Sequence, residues 1–459
     1  MQKESAPIID AQKVFYRSGR TRSIAERKKR LRRFQRTVHT HEKSILKALN
    51  EDLGKSEFES YTSELMFVQK EIRLQLRHLK RWSTPQRVTG SWINFPSRDY
   101  LVAEPFGSIL IISPWNYPLQ LALTPLVGAV AAGNTVVLKP SESAPKTGAI
   151  VAQIIEETFP KEWVTVVEGG AAVAQELLEF SWDYIFYTGS TTVGKLVAQA
   201  AAKHLTPTTL ELGGKSPCIV EDSAPIKSTA KRIVWGKFLN CGQTCIAPDY
   251  VLVSPHKKEA LMNALKKEII HAFGENPAKS KDYGRIINEI HIERLKKNLK
   301  NQNVFYGGHF EEDQRYAEPT IVDSPSLDSQ LMTEEIFGPI LPVLTYKNSE
   351  ELEQIITGLD KPLAFYVFSK NKKFIRYCHN QFAFGGGVVN DTLLHFTNDR
   401  LPFGGIGASG MGSYHGSFSF KTFTHLKPIV KKGFWFDLPQ RYAPYPKLNV
   451  SLKWLLKRI

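Results

Sequence analysis

Cysteine is scarce in this chain. Four residues in 459, at positions 218, 241, 245 and 378, make no disulfide scaffold and favour a reducing compartment. A bilayer-crossing run is missing as well. The longest apolar stretch, 119–138, is interrupted by Gln120, Thr124, Pro125, Gly128, Gly133 and Asn134, so it reads as a buried helix followed by a strand. No apolar core follows the charges of Met1–Pro7, and no secretory leader is expected. Internal repeats of roughly 20–50 residues are absent, which excludes a solenoid or a propeller. Hydrophobic residues at 42% and charged residues at 23% exclude a disordered or fibrous protein and suit two or three folded units.

What the chain has in excess is positive charge: 60 Lys and Arg against 45 Asp and Glu, a net +15. The run Arg27-Lys28-Lys29-Arg30-Leu31-Arg32-Arg33 reads as a solvated helix face. A nucleic-acid-associated protein is the rival reading, and no nucleic-acid-binding signature accompanies the run. The tail 451–459 is basic and amphipathic but too short to span a bilayer. It is expected to pack on the body, with weak peripheral membrane contact as the alternative.

Helices are expected over Arg22–Leu53, closed by Gly54, and over Ser63–Trp82. From Tyr100 short apolar runs alternate with helical patterns. Strands are expected at Val102–Phe106, Ser108–Ile112, Thr135–Leu138, Trp163–Val167 and Tyr184–Tyr187. Helices are expected at Pro118–Ala132, Ala144–Glu157 and Val173–Leu178, with another from Thr192. Such alternation predicts an α/β fold with a parallel, nucleotide-binding sheet. A second α/β unit follows Leu210, and the aromatic segment 413–440 is expected to return as strands to a small accessory sheet.

Two nucleotide motifs are decoys in their usual sense. Gly405-Ile406-Gly407-Ala408-Ser409-Gly410 follows no strand and opens no crossover, so it reads as a tight loop. Gly189-Ser190-Thr191-Thr192-Val193-Gly194-Lys195 has Leu196 where a P-loop needs Ser or Thr for Mg²⁺. Its strand–loop–helix setting still suits a pyrophosphate, because a helix N-terminus offers free N–H groups. Cys241 and Cys245, four apart as on one helix face, lack further ligands for zinc, and no metal site is expected; Asn240-Cys241-Gly242-Gln243-Thr244-Cys245 reads instead as a small-residue turn that exposes a thiol.

Seven segments in one order carry a resemblance. They are Ser113-Pro114-Trp115-Asn116-Tyr117-Pro118, Leu138-Lys139-Pro140-Ser141-Glu142, Tyr187-Thr188-Gly189-Ser190, Leu210-Glu211-Leu212-Gly213-Gly214-Lys215-Ser216-Pro217, Gly242-Gln243-Thr244-Cys245, Glu335-Ile336-Phe337-Gly338-Pro339 and Leu401-Pro402-Phe403-Gly404-Gly405. Together they resemble the NAD(P)-dependent aldehyde dehydrogenase superfamily over nearly the whole chain. Gly242–Tyr250, Tyr414-His415-Gly416 and Arg441-Tyr442-Ala443-Pro444-Tyr445 look most like its class 3 branch of fatty and aromatic aldehyde dehydrogenases.

The resemblance implies Cys245 as nucleophile, Asn116 as oxyanion donor and Glu211 as the base for thioester hydrolysis. Superfamily branches that pass the acyl group to coenzyme A lack this base, so a free acid is the expected product over acyl-CoA. For NAD, with NADP left open, it implies Trp115, Lys139, Glu142, Gly189, Ser190, Val193, Gly194, Glu335 and Phe337. It further implies a Rossmann-type cofactor domain (1–86 and 107–211), an α/β catalytic domain (212–412), a bridging sheet (87–106 and 413–440) that joins a homodimer, and a tail (441–459). A cytoplasmic enzyme acting on medium- or long-chain aliphatic or aromatic aldehydes is expected, with Tyr117 and Phe396 near the substrate.

Overall fold

The fully apolar strand patterns become the centres of two sheets that are parallel except for one antiparallel edge strand in each. In the computed structural model, which describes residues 5–457, Ser108–Ile112, Thr135–Lys139 and Tyr184–Thr188 are buried along their whole length. The first sheet has six strands in the order Gly410–Met411, Thr208–Glu211, Tyr184–Thr188, Ser108–Ile112, Thr135–Lys139, Val164–Val166. All pairs in it are parallel except the one Gly410–Met411 makes. The chain runs outward from Ser108–Ile112 through two strands, then returns to its other side with Tyr184–Thr188. That reversal opens a crevice at the carboxyl ends of the strands, where α/β sheets take ligands.

The second sheet has seven strands, in the order Val304–Tyr306, Thr320–Asp323, Ile340–Thr345, Tyr250–Val253, Pro217–Val220, Ala364–Phe368, Gly386–Val389. A third, antiparallel sheet joins Gln86–Val88 and Ser97–Pro105 to Thr424–Lys432. Its long pair runs without a slip from Thr424 opposite Pro105 to Lys432 opposite Ser97.

Several expectations are corrected. The helix expected over 22–53 is two, Ile24–Thr40 and Glu42–Leu53. The break falls at His41, whose backbone leaves the helical region and whose ring sits 2.9 Å from Glu157 Oε2. Helix Ala6–Arg17 was not anticipated, and the helix expected from Ser63 starts earlier, as the π-helical turn Tyr61–Leu65 leading into Met66–Ser83. Within 413–440 only Thr424–Lys432 is a long strand; Ser417–Thr422 is helical, and Phe434 and Trp435 lie exposed beyond the strand.

The basic run is solvated in part. Lys29, Arg32, Arg33 and Arg36 are exposed, but Arg27 is buried. Its guanidinium donates to Ala131 O at 2.6 Å and Ala132 O at 3.2 Å, satisfying the carbonyls that end helix Gln120–Ala132. In the tail Tyr445, Val450 and Trp454 are exposed, and residues 458–459 lie outside the described residues. Among the described residues no helix is long and apolar enough to cross a membrane.

Candidate active site

Helix Ile226–Phe238 stops just before the thiol segment. Asn240 and Cys241 both take φ 52°, a left-handed backbone that side chains rarely adopt, so the segment is the turn expected of it and the two cysteines do not share a helix face. Cys241 turns inward against Tyr283 and is buried, while the half-buried Cys245 lines the large cavity.

Hydrogen bonds stitch this turn to the segment after strand Ser108–Ile112. Asn116 Nδ2 donates to Gln243 O at 3.0 Å, Asn240 Nδ2 donates to Asn116 O at 2.7 Å, and the Tyr117 and Thr244 hydroxyls meet at 2.6 Å. A buried ion pair lies underneath. Lys55 Nζ sits 2.6 Å from Glu64 Oε1 and donates to Asn116 O at 3.0 Å, and Glu64 Oε2 accepts the amides of Leu119 and Gln120.

Two carboxyl groups face the Cys245 thiol. Glu211 ends strand Thr208–Glu211, is 2% exposed, and both of its oxygens are buried without a hydrogen-bond partner among the described residues. Burial pushes its carboxyl well above the usual carboxylate range. Glu335 is pushed up to about 8, first by burial and then by the charge of Asp249, and it accepts the Gly214 amide. A Cβ on Gly213 would lie 2.0 Å from Glu335 Oε2, so only glycine lets the carboxyl lie there. The Cys245 thiol is itself pushed up by burial and then by Glu335 and Glu211. Thiol and acids therefore stand in surroundings that favour the neutral form of each, and each raises the cost of ionising its neighbours.

The remaining candidates other than Phe337 end or follow strands of the six-stranded sheet; Phe337 comes just before strand Ile340–Thr345 of the seven-stranded one. Lys139 Nζ is 2.9 Å from Glu142 Oε2; burial works against the Glu142 charge, and the ammonium outweighs it, holding the carboxyl below its usual range. Ser190 caps helix Thr191–Ala202, its hydroxyl accepting from the Val193 amide. A Cβ on Gly194 would meet Leu212 at 2.6 Å, which keeps the helix start against the sheet. Trp115 and Phe337, distant in sequence, meet edge-to-face at 5.3 Å. The structure thus gathers Cys245, Glu211 and Asn116 near one thiol loop, and leaves Lys139, Glu142, Ser190 and Val193 apart from it along the crevice.

A cavity of about 580 Å³ leads from Cys245 and Glu211 past Tyr117, Phe67, Phe396, Phe403 and Trp235. Its walls are mostly apolar, and both aromatic residues expected near the substrate, Tyr117 and Phe396, line it. Glu59 was missed, although it lines the same cavity while buried. Lys55 and Glu64 were missed as well. One local signal existed for Glu59: Ser56 three residues before it is a capping box, and the Ser56 hydroxyl accepts the Glu59 amide at 3.2 Å.

The sequence model of the Aldehyde dehydrogenase family matches residues 3–429. The 4,4'-diaponeurosporen-aldehyde dehydrogenase of Staphylococcus aureus is 45% identical over 94% of this chain and 95% of its own. Aldehyde dehydrogenase family 3 member A2 of Mus musculus is 43% identical over 95% of this chain and 90% of its own. A rat relative named dimeric NADP-preferring aldehyde dehydrogenase is 43% identical over 94% of this chain and 96% of its own. Among solved structures, the substrate-bound state of the Staphylococcus aureus AldH superposes with a TM-score of 0.95 at 43% identity, covering 98% of each chain.

Proposed function

We infer the chemistry of the site from one premise: the chain belongs to the aldehyde dehydrogenase family and oxidises aldehydes to carboxylic acids with NAD or NADP. The observation that carries the assignment of residues is that Cys245 and Glu211 line one apolar cavity, with Asn116 bonded to the loop that bears Cys245. Cys245 Sγ attacks the carbonyl carbon as its proton passes to ionised Glu211, which gives the proton up to solvent before the hydrolytic half of the reaction, and a tetrahedral adduct results. The Asn116 side-chain amide and the Cys245 backbone N–H stabilise the oxygen that becomes negative. Nicotinamide, when bound, supplies the hydride acceptor that turns the adduct into a thioester. Glu211 then deprotonates a water, which attacks the thioester carbon and releases the acid and the thiol. The unpartnered oxygens of Glu211 suit this task, since nothing competes for the water's proton.

The residues present fit a dinucleotide. Gly189 has no side chain to block the helix start, where a Cβ would meet the Tyr187 hydroxyl at 2.2 Å, and the first amides of helix Thr191–Ala202 suit a pyrophosphate. Lys139 and Glu142 would hold the adenosine ribose, and Trp115, Glu335 and Phe337 the nicotinamide end. Glu142 favours the 2′-hydroxyl of NAD and disfavours the 2′-phosphate of NADP unless it swings out.

The mostly apolar cavity supports medium- or long-chain aliphatic or aromatic aldehydes as substrates. Each buried CH₂ is worth ~0.8 kcal/mol, so kcat/KM should climb from acetaldehyde to octanal, and equal values would contradict this reading. We also propose a cytoplasmic homodimer. The scarcity of cysteine, four residues in 459, supports the compartment. The nine-residue strand Thr424–Lys432 supports the dimer, because it pairs on one side only and carries exposed Ile429 and Val430; light scattering measures the mass in solution.

Glu211→Gln tests the mechanism. The variant should give one burst of NADH, at most one per site, followed by slow turnover, with an acyl group on Cys245 by intact-protein mass spectrometry. General-base loss is worth about 10²–10⁴ in rate. Turnover at the wild-type rate would refute the assignment, and a requirement for coenzyme A in the wild type would replace hydrolysis by acyl transfer.

A further inference from the structure

We infer that Glu59 is a positioning residue for the nucleophile: from the wall of the substrate cavity its carboxylate holds the amide of Asn240, and through Asn240 the turn that presents Cys245. This rests on the reading of Cys245 as the attacking thiol.

The bonding is specific. Helix Ile226–Phe238 has ended when the chain reaches Asn240, whose buried N–H donates to Glu59 Oε1 at 2.8 Å. Asn240 and Cys241 hold left-handed φ values that persist only where the surroundings impose them. Asn240 is also the knot of the loop. Its carbonyl accepts both the Gln243 amide and Gln243 Nε2, each at 3.0 Å, and its own Nδ2 donates to Asn116 O and Gln243 O. Asn116 Nδ2 donates to that same Gln243 oxygen, two residues before Cys245. One carboxylate therefore fixes the residue to which both the thiol loop and the oxyanion donor are tied.

The alternative is that Glu59 is a wall residue whose charge matters to the substrate. Its surroundings argue for the backbone role. Lys55 on the adjoining turn, Glu64 of the π-helical turn, Tyr117 of the segment after strand Ser108–Ile112, Asp282 of the facing loop and Cys241 of the thiol loop are the ionisable groups around it. Burial, the largest influence, raises its carboxyl to about 6, so above that pH a charged oxygen makes a strong bond to the Asn240 amide. Leucine at this position would fill similar space and leave a buried N–H without an acceptor. Glutamine keeps an oxygen that the N–H can reach, and aspartate keeps the charge but withdraws it by one methylene.

The test measures the pre-steady-state NADH burst with octanal at pH 8, together with the rate at which iodoacetamide alkylates Cys245, located by peptide mapping. Glu59→Leu and Glu59→Asp are expected to slow both by about 10- to 100-fold, the cost of a nucleophile displaced by an ångström or less, with little change in the KM for octanal. Glu59→Gln is expected to recover most of both rates. Wild-type rates in Glu59→Leu would overturn the proposal. Should that variant fail to fold, the Gln and Asp variants still decide, because a slow Gln variant beside a fast Asp variant would make charge, not the hydrogen bond, the active element. Cys245→Ala serves as the independent control: a burst retained there would refute the nucleophile itself, whatever the Glu59 variants do.

Discussion

Replacing Lys55 by methionine measures what it costs to strand a buried carboxylate under the active site. Lys55 and Glu64 are both fully inaccessible, with Nζ 2.6 Å from Oε1. Methionine keeps the length of the side chain and removes its charge. It also removes the bond to Asn116 O and the ammonium that sits 4.1 Å from the centre of the Tyr117 ring. Breaking a buried pair from one side costs about 3–5 kcal/mol. Glu64 keeps the Leu119 and Gln120 amides at 2.9 and 3.2 Å, which places Lys55→Met at about 3 kcal/mol in that range. Glu64→Leu strands the ammonium and both amides together and belongs near 5 kcal/mol. The double variant leaves no buried charge, so it should cost at least about 2 kcal/mol less than the sum of the two single changes. Urea unfolding followed by tryptophan fluorescence supplies the three numbers. A loss below about 1 kcal/mol for Lys55→Met, or additivity within about 0.5 kcal/mol, would refute the reasoning. Because Lys55 also restrains Asn116, the folded variant should lose kcat more than it gains KM.

Glu71 is buried and bonded to Gln75 Nε2 and the Gly416 amide, and burial raises its carboxyl from 4.5 to about 7. Between those values the unfolded chain is ionised and the folded one protonated, so this group's stabilisation is full below pH 4.5 and falls as pH rises through 7. Glu71→Gln should flatten the decline, a difference on the order of 3 kcal/mol by pH 8 that urea midpoints at pH 5 and 8 will show. Glu335 is the leading charge raising the Cys245 thiol after burial and itself ionises near 8. Glu335→Gln should therefore speed alkylation of Cys245 by about two- to tenfold at pH 9 and hardly at pH 7; an equal gain at both would contradict the cause given. Gly242 has φ +72° and its Cβ would lie 2.3 Å from Gly338 O, so Gly242→Ala should cost about 2–4 kcal/mol and most of kcat, measured by thermal melting and steady-state turnover.

Periodicity and capping made the parallel core legible. The apolar runs at 108–112, 135–139 and 184–188 could be little but buried strands, and Gly54 closes its helix at φ 65° as a C-terminal glycine should. The errors arise where tertiary contacts outvote the local pattern. Nothing in the basic run distinguishes Arg27 from its neighbours until helix Gln120–Ala132 brings its last carbonyls alongside. His41 reads as one more helical residue until Glu157 of another helix takes its ring. The thiol segment is the opposite case: its small residues mark a turn in the sequence alone, and the left-handed pair at 240 and 241 makes that turn and separates the two thiols.

The candidate site divides along the same physical line. Cys245, Glu211 and Asn116 lie inside short motifs of glycine, proline and polar residues, where tight turns leave a distinct imprint on the sequence. Lys55 and Glu59 lie in the short charged connection between the two expected helices and Glu64 at the start of the second, and no motif surrounds them. Their burial is created by three segments meeting: Glu64 receives amides of residues 119 and 120, Lys55 bonds residue 116, and Glu59 bonds residue 240. An exposed ion pair on a helix is worth little, whereas these groups, excluded from water, must each find a partner or destabilise the fold. Isolated windows of sequence hold the charges but not the dryness that gives them their strength. For that reason the residues that shape the reaction from behind the thiol become visible only once residues 55–64, 116–120 and 240–245 are brought together.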